Sequence, residues 1–398
     1  MCGIFGYIGN QTNASAFVFE GLKTLEYRGY DSWGIAAKLK TKNLKRKTQF
    51  TIEKHIGKIG NGVLSSKFSV LSSLAIGHTR WATHGGVTIE NAHPHLDCNQ
   101  HIAVVHNGII ENFQELKESL ARKGHTFTSE TDSEVIAHLI EDNLKDTGFA
   151  TATRNAFNML SGMNAIVVAY SPSKEIVAAK TGSPLVVGIG KDEYFIASDA
   201  SGIAPHTKKV VFLADNQMAI LGKSFKLIQL PDGQEIKPEI TKLTWEFENA
   251  VKGDFPHFLL KEIYEQPKVI DNIALTYKEP TQQLAKLIKN AYGTFMVGCG
   301  TASYAALAGT YLFSSIAKKH VNFSIGSEFA YLEDYLTNKT LLIPISQSGE
   351  TVDVIEPVTN ARKKGVTIAA LVNVIGSTLY RLADHKIVLG AGQEKSVA

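Results

Sequence analysis

Apolar residues along this chain follow two rhythms, and the rhythm changes near residue 240. In the first stretch, short apolar runs alternate with turn-formers. A strand is predicted at 4–8, and Phe17, Phe19, Leu22 and Leu25 at helical spacing predict a helix over 14–25. Strands at 74–77 and 102–105 follow. A helix is predicted at 112–123, closed by Gly124, and another at 133–144. Further strands are predicted at 165–170, 176–179, 185–189, 195–197 and 210–213, separated by Gly, Pro, Asn, Asp and Ser. Many strands with few helices imply stacked layers of sheet and helix. Between 241 and 285 strand signals fade. Helix-compatible segments at 245–252 and 257–264, punctuated by Pro256, Pro267 and Pro280, predict a partly helical connector. From there the order is strand 294–297, helix 303–319, strand 340–345, helix 353–364, then strands 367–372 and 386–389. That alternation predicts a parallel sheet with helices on both faces. The expected domains are 2–240 and 286–398, joined by the connector at 241–285.

Composition narrows the class. A chain of 398 residues fits two or three domains, and 44% apolar with 20% charged residues excludes a disordered or fibrous chain. A net charge of +3 argues against a nucleic-acid partner, which calls for a basic face. Cys2, Cys98 and Cys299 cannot build a disulfide framework and suit a reducing compartment. There is no apolar run long enough to span a membrane, and the N-terminus lacks the features of a signal peptide, so a cytoplasmic protein is expected.

Candidate chemistry starts at Cys2. Removal of Met1 would leave a thiol beside a free α-amine, whose pKa of about 7.7–8.0 suits a general base. One residue would then supply nucleophile and base. The block from His78 to Gly85 follows a predicted strand and carries Arg80, whose planar fork can hold a carboxylate. Asn107-Gly108 ends another strand with an amide donor and a glycine, the groups a developing oxyanion needs. Asp132 stands before a helix, where it could also be a plain N-cap. Taken together, nucleophile, oxyanion donors, carboxylate binder and ammonium binder fit an α-amino acid bearing a side-chain amide. His93-Pro94-His95 lacks partners at ligand spacing, so no metal and no cofactor are expected, and Cys98 reads as a spare thiol.

Met1-Cys2-Gly3-Ile4, Tyr27 to Ser32, His78 to Gly85, Asn91 to His95, His106 to Asn112 and Ser129 to Asp132 resemble the class II glutamine amidotransferases, which are N-terminal-nucleophile hydrolases. The resemblance implies an α+β four-layer αββα domain acting on L-glutamine. It implies that Cys2 attacks the amide and that Asn107 with the Gly108 N–H forms the oxyanion hole. Arg80 would take the substrate carboxylate and Asp132 its ammonium. Thr83 and His84 would line the pocket, with Trp81 as a gate for ammonia.

In the second half two loops follow predicted strands and open helices: Gly298 to Ser303, and Ser346 to Thr351. Glycine- and hydroxyl-rich loops at helix N-termini suit anions, and neither matches a nucleotide-triphosphate loop. The second loop resembles that of sugar isomerase (SIS) domains, an α/β parallel-sheet fold. By that resemblance Thr301, Ser303, Ser346, Gln347, Ser348 and Thr351 would bind a sugar phosphate. Behind a glutaminase, such a module implies fructose 6-phosphate as amine acceptor and a homodimer in the complete enzyme. Two features depart from the family. Ala302 stands where a phosphate-contacting Ser is common, with Ser303 one place later. The family also carries a second SIS domain and a C-terminal tail, so the chain is expected to be a fragment ending inside the first. Two alternatives stay open: a related amidotransferase, and a phosphosugar sensor whose amidotransferase-like domain is inert.

Overall fold

The computed structural model describes residues 2–40, 49–69, 71–243 and 252–396. It divides into two compact units, Met1–Phe247 and Glu248–Ala398.

Two antiparallel sheets stack face to face in the first unit. The first has eight strands, with Gly3–Gly9 and Ser72–Arg80 near its centre, flanked by Glu193–Ala197 and Ser32–Leu39. The second has seven, with Ile102–Gly108, Asn164–Tyr170 and Glu175–Lys180 as consecutive neighbours. Period-two alternation sends Ile4, Leu74 and Ile76 of the first sheet inward against Ala103, Val105, Val167 and Ala178 of the second. The outward set of the first sheet, Phe5, Tyr7, Trp33 and Ile35, is covered by Val18, Leu22 and Leu25 of helix Ala14–Leu25. On the far side Ile102, Val104, Ile166 and Val168 pack under helices Phe113–Arg122, Glu134–Leu144 and Phe149–Asn158. The layers therefore run helix, sheet, sheet, helix, as the αββα expectation requires.

The second unit holds a five-stranded parallel sheet in the order Asn322–Ile325, Gly293–Gly298, Thr340–Ser346, Thr367–Val372, His385–Val388. Helices before and between the strands cover both faces. Val297, Leu342 and Ala370 pack with Val354 and Val358, while Met296, Ile343 and Ala369 pack with Ile288 and Ala306.

Two expectations are corrected. Pro267 does not punctuate the connector: helix Phe258–Thr276 runs through it, giving up the bond that residue 267 would donate to the Ile263 carbonyl. The helix expected over 303–319 ends at Leu312 and continues as a π turn, Phe313–Ala317, which stops where Lys318 turns left-handed. The helix expected over 245–252 falls almost wholly outside the described residues. Among the described residues, no helix is long and apolar enough to cross a membrane.

Candidate active site

Strand pairing brings the N-terminus to the Arg80 loop. Gly3 pairs with Thr79 across antiparallel neighbours, so Cys2 emerges beside Arg80 and Trp81. The Trp81 N–H donates to Cys2 Sγ at 3.2 Å. Burial pushes the Cys2 thiol up, opposed by the Trp81 N–H and by the Arg80 and Arg28 guanidinium charges. The resting sulfur is therefore a thiol that needs a base. Gly29 lies against the Arg80–Trp81 backbone so closely that a Cβ there would sit 2.7 Å from the Arg80 carbonyl carbon.

Asn107, buried at the end of Ile102–Gly108, donates from Nδ2 to the Cys2 carbonyl at 3.1 Å. Its Oδ1 lies 2.9 Å from His78 Nε2. Burial lowers the His78 pKa to about 3, so the ring is neutral. Oδ1 can only accept, which puts the ring proton on Nε2 and fixes the face that Asn107 turns to Cys2. The second Nδ2 hydrogen stays available to a substrate oxygen. Gly108 has a φ of +133°, and a Cβ there would overlap the Met163 carbonyl oxygen, so glycine is required.

Arg80 is 3% exposed. Its guanidinium donates to the carbonyls of His84, Gly85 and Gly86, drawing the loop around it. It forms no ion pair among the described residues. Burial disfavours its charge, and the fields of Cys2, Asp132 and Asp31 offset part of that. Asp132 is buried, accepts from the Ile110 N–H at 2.8 Å, and has Ser133 Oγ 3.2 Å from its other oxygen. Asp31 receives the Ala82 N–H at 2.9 Å. Trp81 and His84 are half-buried and lean on Tyr30 and Phe113; Thr83 is exposed on the same loop.

Hydrogen bonds thus join Cys2, Trp81 and Asn107, and electrostatics link Arg80 with Cys2 and Asp132. Two supporting groups, His78 and the Arg28–Asp199 pair, were not singled out from sequence. His78 shares the inward face of its strand with Leu74, Ile76 and Arg80, so its period-two position was the available signal. Arg28 donates to the Cys2 carbonyl at 3.4 Å and pairs with Asp199 at 3.1 Å. Asp199 lies far along the chain, and no local pattern points to it. His93 and His95 are buried with rings 4.6 Å apart, and His95 Nε2 meets Thr131 Oγ1 at 3.0 Å.

In the second unit the two loops leave the carboxyl ends of adjacent strands, Gly293–Gly298 and Thr340–Ser346. The chain winds one way after the first of these strands and the other way after the second. The loops therefore flank the switch point where doubly wound sheets take ligands. Thr301 is exposed at the start of helix Thr301–Leu312. Ser303 is buried, and its hydroxyl donates to the Gly300 carbonyl at 2.7 Å. Ser346 Oγ accepts the Gly349 N–H at 3.0 Å and meets Thr351 Oγ1 at 2.9 Å, while Ser348 Oγ accepts the Glu350 N–H at 3.2 Å. Gln347 and Ser348 are half-buried at the turn, before helix Val352–Lys363.

The family model of a glutamine amidotransferase domain matches residues 78–205, and that of a SIS domain matches residues 287–398. The chain joins a glutamine amidotransferase domain to a SIS domain. Relatives named glutamine–fructose-6-phosphate aminotransferase (isomerizing) align with all of it. That of Pyrococcus horikoshii is 45% identical over 100% of this chain and 66% of its own length. That of Thermus thermophilus is 42% identical over 100% of this chain and 65% of its own. Among solved structures, the C-terminal domain of the Francisella tularensis glucosamine-fructose-6-phosphate aminotransferase is 30% identical. It covers 37% of this chain and 43% of its own, at a TM-score of 0.33. The chain thus spans just under two thirds of the curated relatives it matches.

Proposed function

We propose that the amidotransferase domain hydrolyses L-glutamine to glutamate and ammonia, and that the SIS domain contributes to a fructose 6-phosphate site where the complete protein uses that ammonia to form glucosamine 6-phosphate. The observation that carries the first part is Arg80: a buried guanidinium without an acidic partner among the described residues, beside a thiol and a buried carboxylate. That arrangement suits a zwitterion with a reactive side chain, in which the substrate carboxylate supplies the missing anion and Asp132 faces the ammonium.

With Met1 removed, the Cys2 α-amine takes the thiol proton and Sγ attacks the amide carbon. The C=O electron pair moves onto oxygen, where the free Nδ2 hydrogen of Asn107 and the Gly108 N–H stabilise the oxyanion. The α-ammonium returns its proton to the leaving nitrogen, the C–N bond breaks, and ammonia departs. Water, deprotonated by the same amine, then cleaves the thioester to glutamate and regenerates the thiol. For the second part, the loops at Thr301 and at Ser346 to Thr351 offer N–H and hydroxyl groups at helix N-termini to a phosphate.

The test is glutamate release from glutamine by the 398-residue chain. Wild type is expected to turn over, and both Cys2→Ser and a form retaining Met1 are expected to be inactive while folded. A Met1-retaining protein with full activity would overturn the role of the amine. Unchanged turnover in Cys2→Ser would overturn the whole reading.

A further inference from the structure

A second cluster of reactive side chains lies away from Cys2, on the helical side of the second sheet. Cys98 sits in the turn between strands His95–Leu96 and Ile102–Gly108. His125 follows helix Phe113–Arg122, and His138 and Glu141 occupy successive turns of helix Glu134–Leu144. One ligand atom from each of the four lies within 4.8 Å of all the others.

We propose that Cys98, His125, His138 and Glu141 form a tetrahedral Zn²⁺ site. Cys98 Sγ is 3.7 Å from His125 Nδ1 and 3.5 Å from His138 Nδ1. Glu141 Oε2 is 3.0 Å from His125 Nδ1 and 3.3 Å from His138 Nδ1. A tetrahedral ion with Zn–S of about 2.3 Å and Zn–N or Zn–O of about 2.0–2.1 Å has S···N edges of about 3.6 Å and N···O edges of about 3.3 Å. Four of the six edges fall within a few tenths of an ångström of those values, and the remaining pairs lie within 4.8 Å, so the ion would draw them in.

Hydrogen bonding accounts for the Glu141 carboxylate, which accepts from the Cys98 N–H and Asn99 Nδ2 and can take both imidazole protons, but it leaves the Cys98 Sγ contacts unexplained. Each imidazole Nδ1 faces both the sulfur and the carboxylate oxygen, yet it carries one proton or one lone pair and cannot point at both. Four ligand atoms of suitable chemistry within 4.8 Å of one another can close on one ion. One thiolate, two imidazoles and a carboxylate with four-fold closure favour Zn²⁺ over Mg²⁺ or Ca²⁺, which take oxygen sets. The outer ring nitrogens support the assignment. His138 Nε2 is 3.8 Å from Glu134 and His125 Nε2 is 3.9 Å from Asp142, carboxylates within a small shift of the hydrogen bonds that orient metal-bound imidazoles. With four protein ligands the site is structural. It ties the Cys98 turn and the segment at His125 to the helix that begins just after Asp132 and Ser133.

The test uses the full chain carrying Cys2→Ser, so that the nucleophile does not compete for metal. After removal of metal with a chelator, the protein is titrated with Zn²⁺ against a chromophoric competitor, and separately with Co²⁺. One equivalent of Zn²⁺ should bind. Co²⁺ should give the thiolate charge-transfer band and the intense visible bands of a tetrahedral ion. Adding Cys98→Ser should remove the charge-transfer band and weaken Zn²⁺ binding by at least about 100-fold. Cys98 is exposed, so this variant should keep the native circular dichroism, and His125→Ala provides an independent second loss. Absence of the charge-transfer band in the parent protein, or Zn²⁺ uptake indifferent to both variants, would overturn the site.

Discussion

His78 holds the Asn107 amide in one of its two orientations by donating to Oδ1, which leaves Nδ2 facing Cys2. An amide flip would present an oxygen to the oxyanion instead of a donor. Asn107→Ala should therefore lower kcat by about 10²–10³, the usual loss for one oxyanion donor. His78→Phe should reproduce part of that loss with little change in KM, and His78→Gln, whose Nε2 can still donate, should restore most of it. If His78→Phe and His78→Gln are equally impaired, the ring matters for packing and not for orientation. In the proposed reaction Arg80 serves binding. Arg80→Ala should raise the KM for glutamine by an amount equivalent to about 2–5 kcal/mol, since it removes a desolvated partner of the carboxylate. Steady-state kinetics separate the two residues, because in the proposed reaction Asn107 meets the charge that develops and Arg80 a charge already present.

Between elements, the Arg28–Asp199 pair fastens the turn Glu26–Arg28 to helix Ala200–Ile203. Asp199 accepts from Arg28, from the Tyr27 hydroxyl at 2.9 Å and from the Ser201 N–H at 2.8 Å. Both charges are nearly excluded from water, so Asp199→Ala should destabilise the first unit by about 3–5 kcal/mol in urea denaturation. Replacing both partners by apolar residues, Arg28→Met with Asp199→Leu, should recover much of the loss. A double variant no better than the single one would show that the hydrogen bonds, not the stranded charge, dominate. This tie also shows what sequence conveys. Helix Ala14–Leu25 is legible because its apolar stripe is periodic, and Thr367–Val372 because it is a short buried run bounded by turns. Strand Ser32–Leu39 is not: Trp33 to Ala37 are buried whichever face they point to, so alternation vanishes. Cys2, Arg80, Asn107 and Asp132 each stand in a local cluster of distinctive residues. Asp199, and Cys98 with Glu141, acquire meaning only when the fold joins positions 171 and 43 residues apart.

Across the whole molecule, buried imidazoles are confined to the first unit. His78, His93, His95, His106 and His138 are buried there, whereas in the second unit His257 and His320 are exposed and His385 is half-buried. Burial lowers the pKa of His78 to about 3 and holds His93 and His95 well below the usual imidazole value. In the unfolded chain these rings take a proton near pH 6.5. Below that pH these rings hold more protons in the unfolded state than in the folded one, so their own contribution to stability rises with pH. Their contribution is complete above about pH 6.5 and is lost progressively toward pH 3, at up to about 1.4 kcal/mol per pH unit per ring. His93 gives the cleanest measurement. Neither of its ring nitrogens has a hydrogen-bond partner among the described residues, its ring packs against those of His78 and His95, and the nearby charges of Arg80 and His106 also oppose a proton. His93→Phe should thus be close to neutral at pH 7.5 and increasingly stabilising relative to wild type as pH falls to 5.5. Trp33 and Trp81 lie in the first unit and Trp245 is replaced by Phe in both proteins, so the tryptophan fluorescence reports the first unit. Urea midpoints followed by that signal at the two pH values should diverge between wild type and variant. The difference between the two proteins cancels every titrating group they share. A difference that does not grow on acidification would mean that His93 accepts a proton in the folded state, and that the cluster beside Asn107 is not the dry, neutral pocket its burial describes.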